Sequence, residues 1–185
     1  MGLKILHSAD WHLDSPFAGF DDSQRALLKQ EQQSIPGKIS QLCRREKCDL
    51  MLLAGDIFDG EPARETVEAL KKALSECGAR VFIAPGNHDF CAPGSVWLEE
   101  NWPENVYVFT GGLEAVTIPD LNCRVYGAGY QSMDSAPLLE NFRQRKVLHR
   151  RATRRSHPEG LPLLPHHRPA GAGLGAAISG AGTYP

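Results

Sequence analysis

The 185-residue chain lacks the features of membrane proteins and of disulfide-rich secreted proteins. No run of about 18 apolar residues occurs that could cross a bilayer, so we expect no membrane segment. The stretch "MGLKILHSAD" enters a strand-like pattern at once, and we expect no signal peptide. The five cysteines are odd in number and form no C-x-x-C pair, which favours a reduced, cytoplasmic protein over a disulfide scaffold.

Positive charge is scarce in most of the chain. Residues 1–140 contain 12 Lys/Arg against 21 Asp/Glu, a net charge of −9. Residues 141–185 contain 8 Lys/Arg and one acid, Glu159, a net charge of +7, and the two parts give the overall −2. An acidic body lacks the basic surface typical of nucleic-acid-binding domains, so charge alone does not indicate DNA as a ligand.

Short apolar runs alternate with amphipathic stretches and predict an α/β fold. Helices are predicted over 22–46 and 62–77, the first interrupted near Pro36 and Gly37, because both residues disfavour helix interiors. The alternation predicts a sheet with helical crossovers, and the closer spacing of the later strands predicts an antiparallel or second sheet. The predicted strands are 3–6, 49–54, 80–84, 106–109, 114–118 and 123–128.

Three polar segments follow the first three predicted strands. They are "SADWHLDS" with Asp10 and His12, "AGDIFDG" with Asp56 and Asp59, and "PGNHD" with Asn87, His88 and Asp89. Loops beyond the carboxyl ends of strands line the ligand crevice in α/β folds. Carboxylate, imidazole and amide ligands suit Mn²⁺, Fe, Zn²⁺ or Mg²⁺. Each segment alone is typical of a turn or helix cap, but three in this order favour a metal site.

The motifs D-x-H, G-D-x-x-D and G-N-H-D, in this order, resemble the calcineurin-like metallophosphoesterase superfamily. The longer stretches "HSADWHLDSPF", "LMLLAGDIFDG" and "FIAPGNHDF" resemble its DNA-repair exonuclease branch, the SbcD-like nucleases. The resemblance covers residues 1–149, which we interpret as a truncated metallophosphoesterase domain, followed by a non-family tail over 150–185. It implies an α/β fold with a two-sheet β-sandwich flanked by helices, incomplete at the C-terminus.

The resemblance also implies a site for two divalent ions, expected to be Mn²⁺. Its ligands would be Asp10 and His12 for the first ion, Asn87 for the second and Asp56 for both. His88 would be the catalytic imidazole, which hydrogen-bonds the phosphate or protonates the leaving oxygen. Asp89 would orient His88 or cap the next helix. Two ions about 3.5–4 Å apart would activate a water for hydrolysis of a phosphodiester.

Histidines that complete the family's site are missing or displaced. His149 in "KVLHRR" has the V-L-H context of a further ligand, but an arginine follows where the family has a glycine. The family's G-H-x-H motif occurs nowhere in the chain, and "PHHRP" has the wrong spacing. We therefore keep His149 as a candidate ligand and predict weak metal binding with little or no activity.

The composition changes near residue 150, where the motifs also break off. The stretch from there is rich in proline, has no sustained period and holds a single acid, so we expect it to be disordered. We hypothesise that it is translated in a shifted frame. Codons for the closing "AGTYP", shifted by one base, can encode Leu-Gly-His-Ile and then His, which is the missing motif. An uninterrupted frame across codons 145–155 on resequencing would contradict this.

The resemblance implies a DNA exonuclease that works with a coiled-coil ATPase partner, and two other functions compete with this one. One is a non-catalytic scaffold or binding module that keeps the fold. The other is a phosphatase or small phosphodiesterase of the same superfamily, which the motif spacing does not exclude. The basic run over 143–155 does not decide, because a solvated tail is favoured over a specific DNA site. Tight binding of two ions would favour an enzyme, and one weak ion or none would favour the scaffold.

Overall fold

The structure is a computed structural model that describes residues 2–135, residue 142 and the backbone of residues 177–180. Seven strands, three α-helices and one short 3-10 helix lie within this part of the chain. In chain order they are β1 (Ile5–Ser8), α1 (Asp22–Arg45), β2 (Leu50–Ala54), α2 (Arg64–Ser75), β3 (Arg80–Ala84), α3 (Val96–Glu99), β4 (Val106–Val108), β5 (Glu114–Ile118), the 3-10 helix (Pro119–Leu121), β6 (Cys123–Gly127) and β7 (Ala177–Gly180).

The first four strands form a parallel sheet in the order β1-β2-β3-β4. Helices α1 and α2 lie in the connections from β1 to β2 and from β2 to β3, as parallel pairing requires of a crossover. The central strands, "LMLLA" and "RVFIA", are nearly continuous apolar runs, typical of parallel strands buried on both faces. All three strands that precede the polar segments therefore end at the same edge of the sheet.

Alternate residues of the central strands contribute to two separate cores. Met51 and Leu53 pack with the apolar faces of α1 and α2 on one side of the sheet. Leu50 and Leu52 pack on the other side against the second sheet, because successive side chains of a strand point to opposite faces. The second sheet is antiparallel, in the order β5-β6-β7. This confirms the predicted α/β architecture of two sheets with flanking helices.

Helix α1 runs without a break through Pro36 and Gly37, so the predicted interruption is wrong. A proline inside a helix removes one backbone hydrogen bond and crowds the preceding turn, at a cost of about 3 kcal/mol. Here Pro36 is buried, and its neighbours Ile35 and Ile39 pack against the core beneath the sheet. Tertiary packing therefore outweighs the local preference.

The backbone of residues 177–180 forms β7, antiparallel to β6, with Ala177 opposite Tyr126 and Gly180 opposite Cys123. This strand lies within the tail for which the composition predicts disorder. It differs from that expectation because pairing uses backbone groups and needs no side-chain periodicity. The domain boundary at residue 149 stays a prediction, since residues 136–141 and 143–176, His149 among them, lie outside the described residues.

Within the described ranges, none of the helices combines the length and the hydropathy needed to cross a membrane. The longest, α1, has 24 residues and carries charged side chains along its length. The five cysteines all lie in the described part of the chain, and each is a buried free thiol. Cys91 and Cys123 contribute small apolar side chains to the buried core.

Candidate metal centre

The three polar segments form loops that lie side by side at the carboxyl ends of β1, β2 and β3. Backbone hydrogen bonds join the first two loops: Asp10 N donates to Gly55 O at 3.1 Å, and His12 N donates to Asp56 O at 2.9 Å. Gly55 N in turn donates to Ala84 O at 2.7 Å, at the end of β3. The pairing of the strands thus continues beyond the sheet and fixes the order of the loops.

Several residues of these loops have left-handed backbone conformations. The φ angle is 55° at Asp10, 46° at His12 and 49° at Asp56. This conformation costs a non-glycine residue about 1–2 kcal/mol and persists only where the surroundings enforce it. Gly55, with φ 84°, carries the same geometry at the start of the second loop without a Cβ penalty. Backbone strain of this kind concentrates at functional sites.

Two contacts from the helices support the first loop. Gln32 of α1 is buried, and its Nε2 donates to the carbonyl of His12. Asp14 accepts hydrogen bonds from Ala63 N at 2.8 Å and from Thr66 Oγ1 at 2.9 Å. The first contact anchors the loop to the middle of α1, and the second joins it to the start of α2.

Asp10, His12 and Asp56 converge at the edge of the sheet. One ligand-competent atom of each lies within 4.8 Å of the other two, and His12 Nε2 is 4.0 Å from Asp56 Oδ2. Asp10 is exposed, while His12 and Asp56 are half-buried. Two carboxylates and an imidazole form a donor set that fits a hard or borderline divalent ion such as Mn²⁺.

The third loop brings Asn87 and His88 to the same edge. The backbone N–H of His88 donates to Asp56 Oδ1 at 3.0 Å, and 43% of the His88 side chain is exposed. Asn87 precedes it in the loop and is half-buried. A Cβ on Gly86 would lie 2.1 Å from Asp56 Oδ1, so this glycine allows the second and third loops to touch. The metal-binding and catalytic roles of these residues stay predictions.

Asp59 is a residue to which the sequence pattern assigned no role. Its Oδ1 lies 3.0 Å from His88 Nδ1 and 3.6 Å from His12 Nδ1, and the three residues form a second ligand-competent group. The His12 and His88 rings meet edge to face, with centroids 4.9 Å apart. The G-D-x-x-D motif marks this aspartate in the sequence, but the motif does not indicate that its partners are His12 and His88.

The pKa of Asp59 lies below its ordinary value. Partial burial raises the pKa, but hydrogen bonds from Ser15 and His88 and the charges of His12 and His88 lower it by more. Asp59 therefore stays ionised at neutral pH. An ionised carboxylate on Nδ1 orients the His88 ring and leaves Nε2 as its free nitrogen.

Asp89 lies beneath the loops, and neither role expected for it is correct. It is 6% exposed, and its Oδ1 accepts from Gly86 N at 2.6 Å. Its Oδ2 accepts from Ile57 N at 2.9 Å and Phe58 N at 3.2 Å. The side chain thus binds the backbone of two loops instead of the His88 ring or a helix end. Burial raises the pKa of Asp89 to about 6, although the three N–H donors lower it.

Comparison with known proteins shows which family the chain is similar to. The family model for calcineurin-like phosphoesterases matches residues 3–178, which extends beyond the region 1–149 of the motif resemblance. The uncharacterized metallophosphoesterase YhaO of Bacillus subtilis is 37% identical over 120 residues, which are 60% of this chain and 28% of YhaO.

Two components of SbcCD nucleases are also similar to the chain. The SbcD component from Staphylococcus epidermidis is 31% identical over 107 residues, and that from Staphylococcus saprophyticus is 29% identical over 107 residues. Each alignment covers 54% of this chain and 27% of the relative. The chain therefore spans less than a third of the length of the curated relatives that it matches.

Proposed function

Because the chain belongs to the calcineurin-like phosphoesterase family, we propose that it is a metal-dependent phosphodiesterase that acts on DNA ends as an exonuclease of the DNA-repair type. The observation that carries the proposal is the convergence of Asp10, His12 and Asp56 beside His88 at one edge of the sheet. The similarity to the two SbcCD nuclease components supports a nucleic acid, here DNA, as the substrate.

We assign the metal ligands as the motifs suggest: Asp10 and His12 to one ion, Asn87 to a second, and Asp56 to both. These residues would hold a pair of Mn²⁺ ions, which would supply activation of a water and neutralisation of charge on the phosphate. Backbone hydrogen bonds between neighbouring loops keep these ligands at one edge of the sheet. His149 would be a further ligand, and it lies outside the described residues.

His88 would transfer the proton in this reaction. Asp59 holds its Nδ1 at 3.0 Å, so Nε2 faces away from the carboxylate and is free to meet the substrate. From this position the Nε2 atom of the ring can reach the leaving oxygen and pass it a proton. His88 therefore acts as the general acid, and Asp59 acts through His88.

The missing G-H-x-H motif limits the activity proposed for this chain. Each ion would lose one histidine ligand, and we propose that binding is weak and hydrolysis slow. The same absence favours a second candidate, a scaffold that keeps the fold without catalysis. Because the two nuclease relatives are each one component of a larger nuclease, they support action with a partner protein, which we propose to be an ATPase with a long coiled coil.

Two measurements on the chain test the proposal. Calorimetric titration with Mn²⁺ should show weak binding of two ions, whereas no binding would favour the scaffold. End-labelled single- and double-stranded DNA incubated with Mn²⁺ should lose nucleotides slowly from its ends, and a His88→Asn variant should lose this activity while it keeps the metal. Full nuclease activity would contradict the proposed impairment, and activity on small phosphate esters alone would favour a phosphatase.

A further inference from the structure

We propose that Asp89 is a positioning residue that sets the separation between the loop of Asp56 and the loop of Asn87 and His88. The inference rests on the proposed function, because those two loops would share the ions between them. Asp89 itself would touch neither metal nor substrate, since its side chain is 6% exposed.

The hydrogen bonds of Asp89 divide between the two loops. Oδ1 accepts from Gly86 N at 2.6 Å, directly before Asn87, and Oδ2 accepts from Ile57 N at 2.9 Å, directly after Asp56. A third bond, from Phe58 N at 3.2 Å, fixes the second loop at one more point. A single carboxylate therefore bridges residues adjacent to ligands that come from different strands.

The separation between these two loops can change little, because the loops are already in contact. The two loops touch where His88 N donates to Asp56 Oδ1 at 3.0 Å, and a Cβ on Gly86 would lie 2.4 Å from Asp56 N. Misplacement of reacting groups by about 1 Å can cost about 100-fold in rate. A residue that holds these loops together therefore affects every step that needs both.

The bridge is anchored in the core by Trp97. Trp97 of α3 is 4% exposed, and its Nε1 donates to the carbonyl of Asp89. The Trp97 ring packs on Phe58 with centroids 5.3 Å apart and stacks on Trp102 with centroids 5.0 Å apart. The backbone carbonyl of Asp89 is therefore fixed to the core by Trp97, while its carboxylate binds the two loops.

The test replaces Asp89 by its isostere. Asp89→Asn keeps the shape but presents an NH₂ group to N–H donors, so at least one bridging bond is lost. We expect Mn²⁺ affinity to fall about 10- to 100-fold, as for other residues that orient metal ligands. Electron paramagnetic resonance should show a changed coupling between the two Mn²⁺ ions.

A matched control removes a comparable link at the opposite end of β3. Asn105 Nδ2 donates to the carbonyls of Leu74 at 2.9 Å and Ala79 at 3.0 Å. Asn105→Ala should lower the melting temperature without a change in Mn²⁺ affinity. Unchanged affinity in Asp89→Asn, or an equal loss of affinity in Asn105→Ala, would overturn the proposal. If Asp89→Asn fails to fold, Trp97→Phe removes the anchoring N–H together with part of the buried ring, leaves the Asp89 carboxylate in place and should give a smaller loss of affinity.

Hydrogen exchange in the metal-free protein separates this inference from the proposed function. The amides of Gly86, Ile57 and Phe58 should be protected in the wild type and exchange faster in Asp89→Asn, while β3 stays protected. Wild-type protein that binds no Mn²⁺ yet protects these amides would refute the proposed function and keep the bridge. Rapid exchange of the three amides in the wild type would refute the bridge whatever the metal result.

Discussion

The amino and carboxyl ends of the parallel sheet differ in how their charged side chains are paired. At the amino end charges are paired: Lys4 Nζ lies 2.9 Å from Glu46 Oε2, and Arg80 Nη1 lies 3.0 Å from Asp120 Oδ2. At the carboxyl end Asp10 and Asp56 lie together on left-handed backbone, and no Lys or Arg of the described residues forms an ion pair with either. The amino end therefore stabilises the fold, whereas the carboxyl end carries backbone strain and two neighbouring carboxylates whose charge a bound cation would neutralise.

The largest expected effect comes from removing charge at the carboxyl end. Asp56→Asn should lower Mn²⁺ affinity by more than the roughly 100-fold that marks the loss of an outer ligand-orienting residue, because Asp56 is assigned to both ions. Asparagine tolerates the left-handed φ of 49°, so the backbone is kept. Isothermal titration calorimetry with Mn²⁺ measures the change.

The proximity of Asp56 to Asp10 also bears on the stability of the Asp56→Asn variant. Without metal, Asp56→Asn should be no less stable than the wild type, because it removes a carboxylate that lies near Asp10. Urea unfolding in the presence of a chelator tests this. A large loss of stability, or unchanged Mn²⁺ affinity, would mean that the carboxyl end is ordinary structure. Glu46→Gln, an equal loss of charge at the amino end, should leave Mn²⁺ affinity unchanged.

A smaller effect is expected where the loops touch. Gly86→Ala would put a Cβ 2.1 Å from Asp56 Oδ1, and overpacking of this kind costs about 1–3 kcal/mol. Gly37→Ala is the control, because its Cβ would meet nothing within 4 Å in α1 and should stabilise by about 0.5–1 kcal/mol. Urea unfolding of both variants gives the two free energies. Equal effects of the two substitutions would show that the loops have room to separate.

The sequence predicted most strands of the sheet and the edge at which the candidate site lies. The apolar runs predicted β2, β3 and β5 within about one residue of their bounds, because buried strands leave an uninterrupted hydrophobic signal. The order D-x-H, G-D-x-x-D and G-N-H-D placed three loops at one edge, since parallel strands end on the same side. The helix through Pro36 was missed because local propensity cannot register the packing of Ile35 and Ile39.

The contacts of Asp59 and Asp89, which connect the loops of the site, could not be predicted from the motifs. Asp59 and Asp89 stand in the motifs beside the candidate ligands. Yet Asp59 contacts His88, 29 positions away, and Asp89 binds Ile57 and Phe58, 32 and 31 positions away. A carboxylate that binds backbone N–H groups leaves no periodic or compositional trace, because any residue except proline can supply the N–H. Motif spacing therefore identified the residues of the site but not what holds them in place.

The smallest expected effect lies at the amino end. The hydrogen bond and the charge of Lys4 hold the pKa of Glu46 below its ordinary value of 4.5. A lowered folded-state pKa means that the pair stabilises the protein above pH 4.5 and loses this contribution as pH falls through the lowered value. The melting temperature of the wild type should thus lie slightly above that of Glu46→Gln at pH 7, and this difference should vanish in strong acid.

Because the Lys4–Glu46 pair is exposed, added salt should reduce the difference in melting temperature at pH 7. A difference that grows as pH falls would contradict the pairing, and with it the assignment of the amino end as the stabilising end of the sheet.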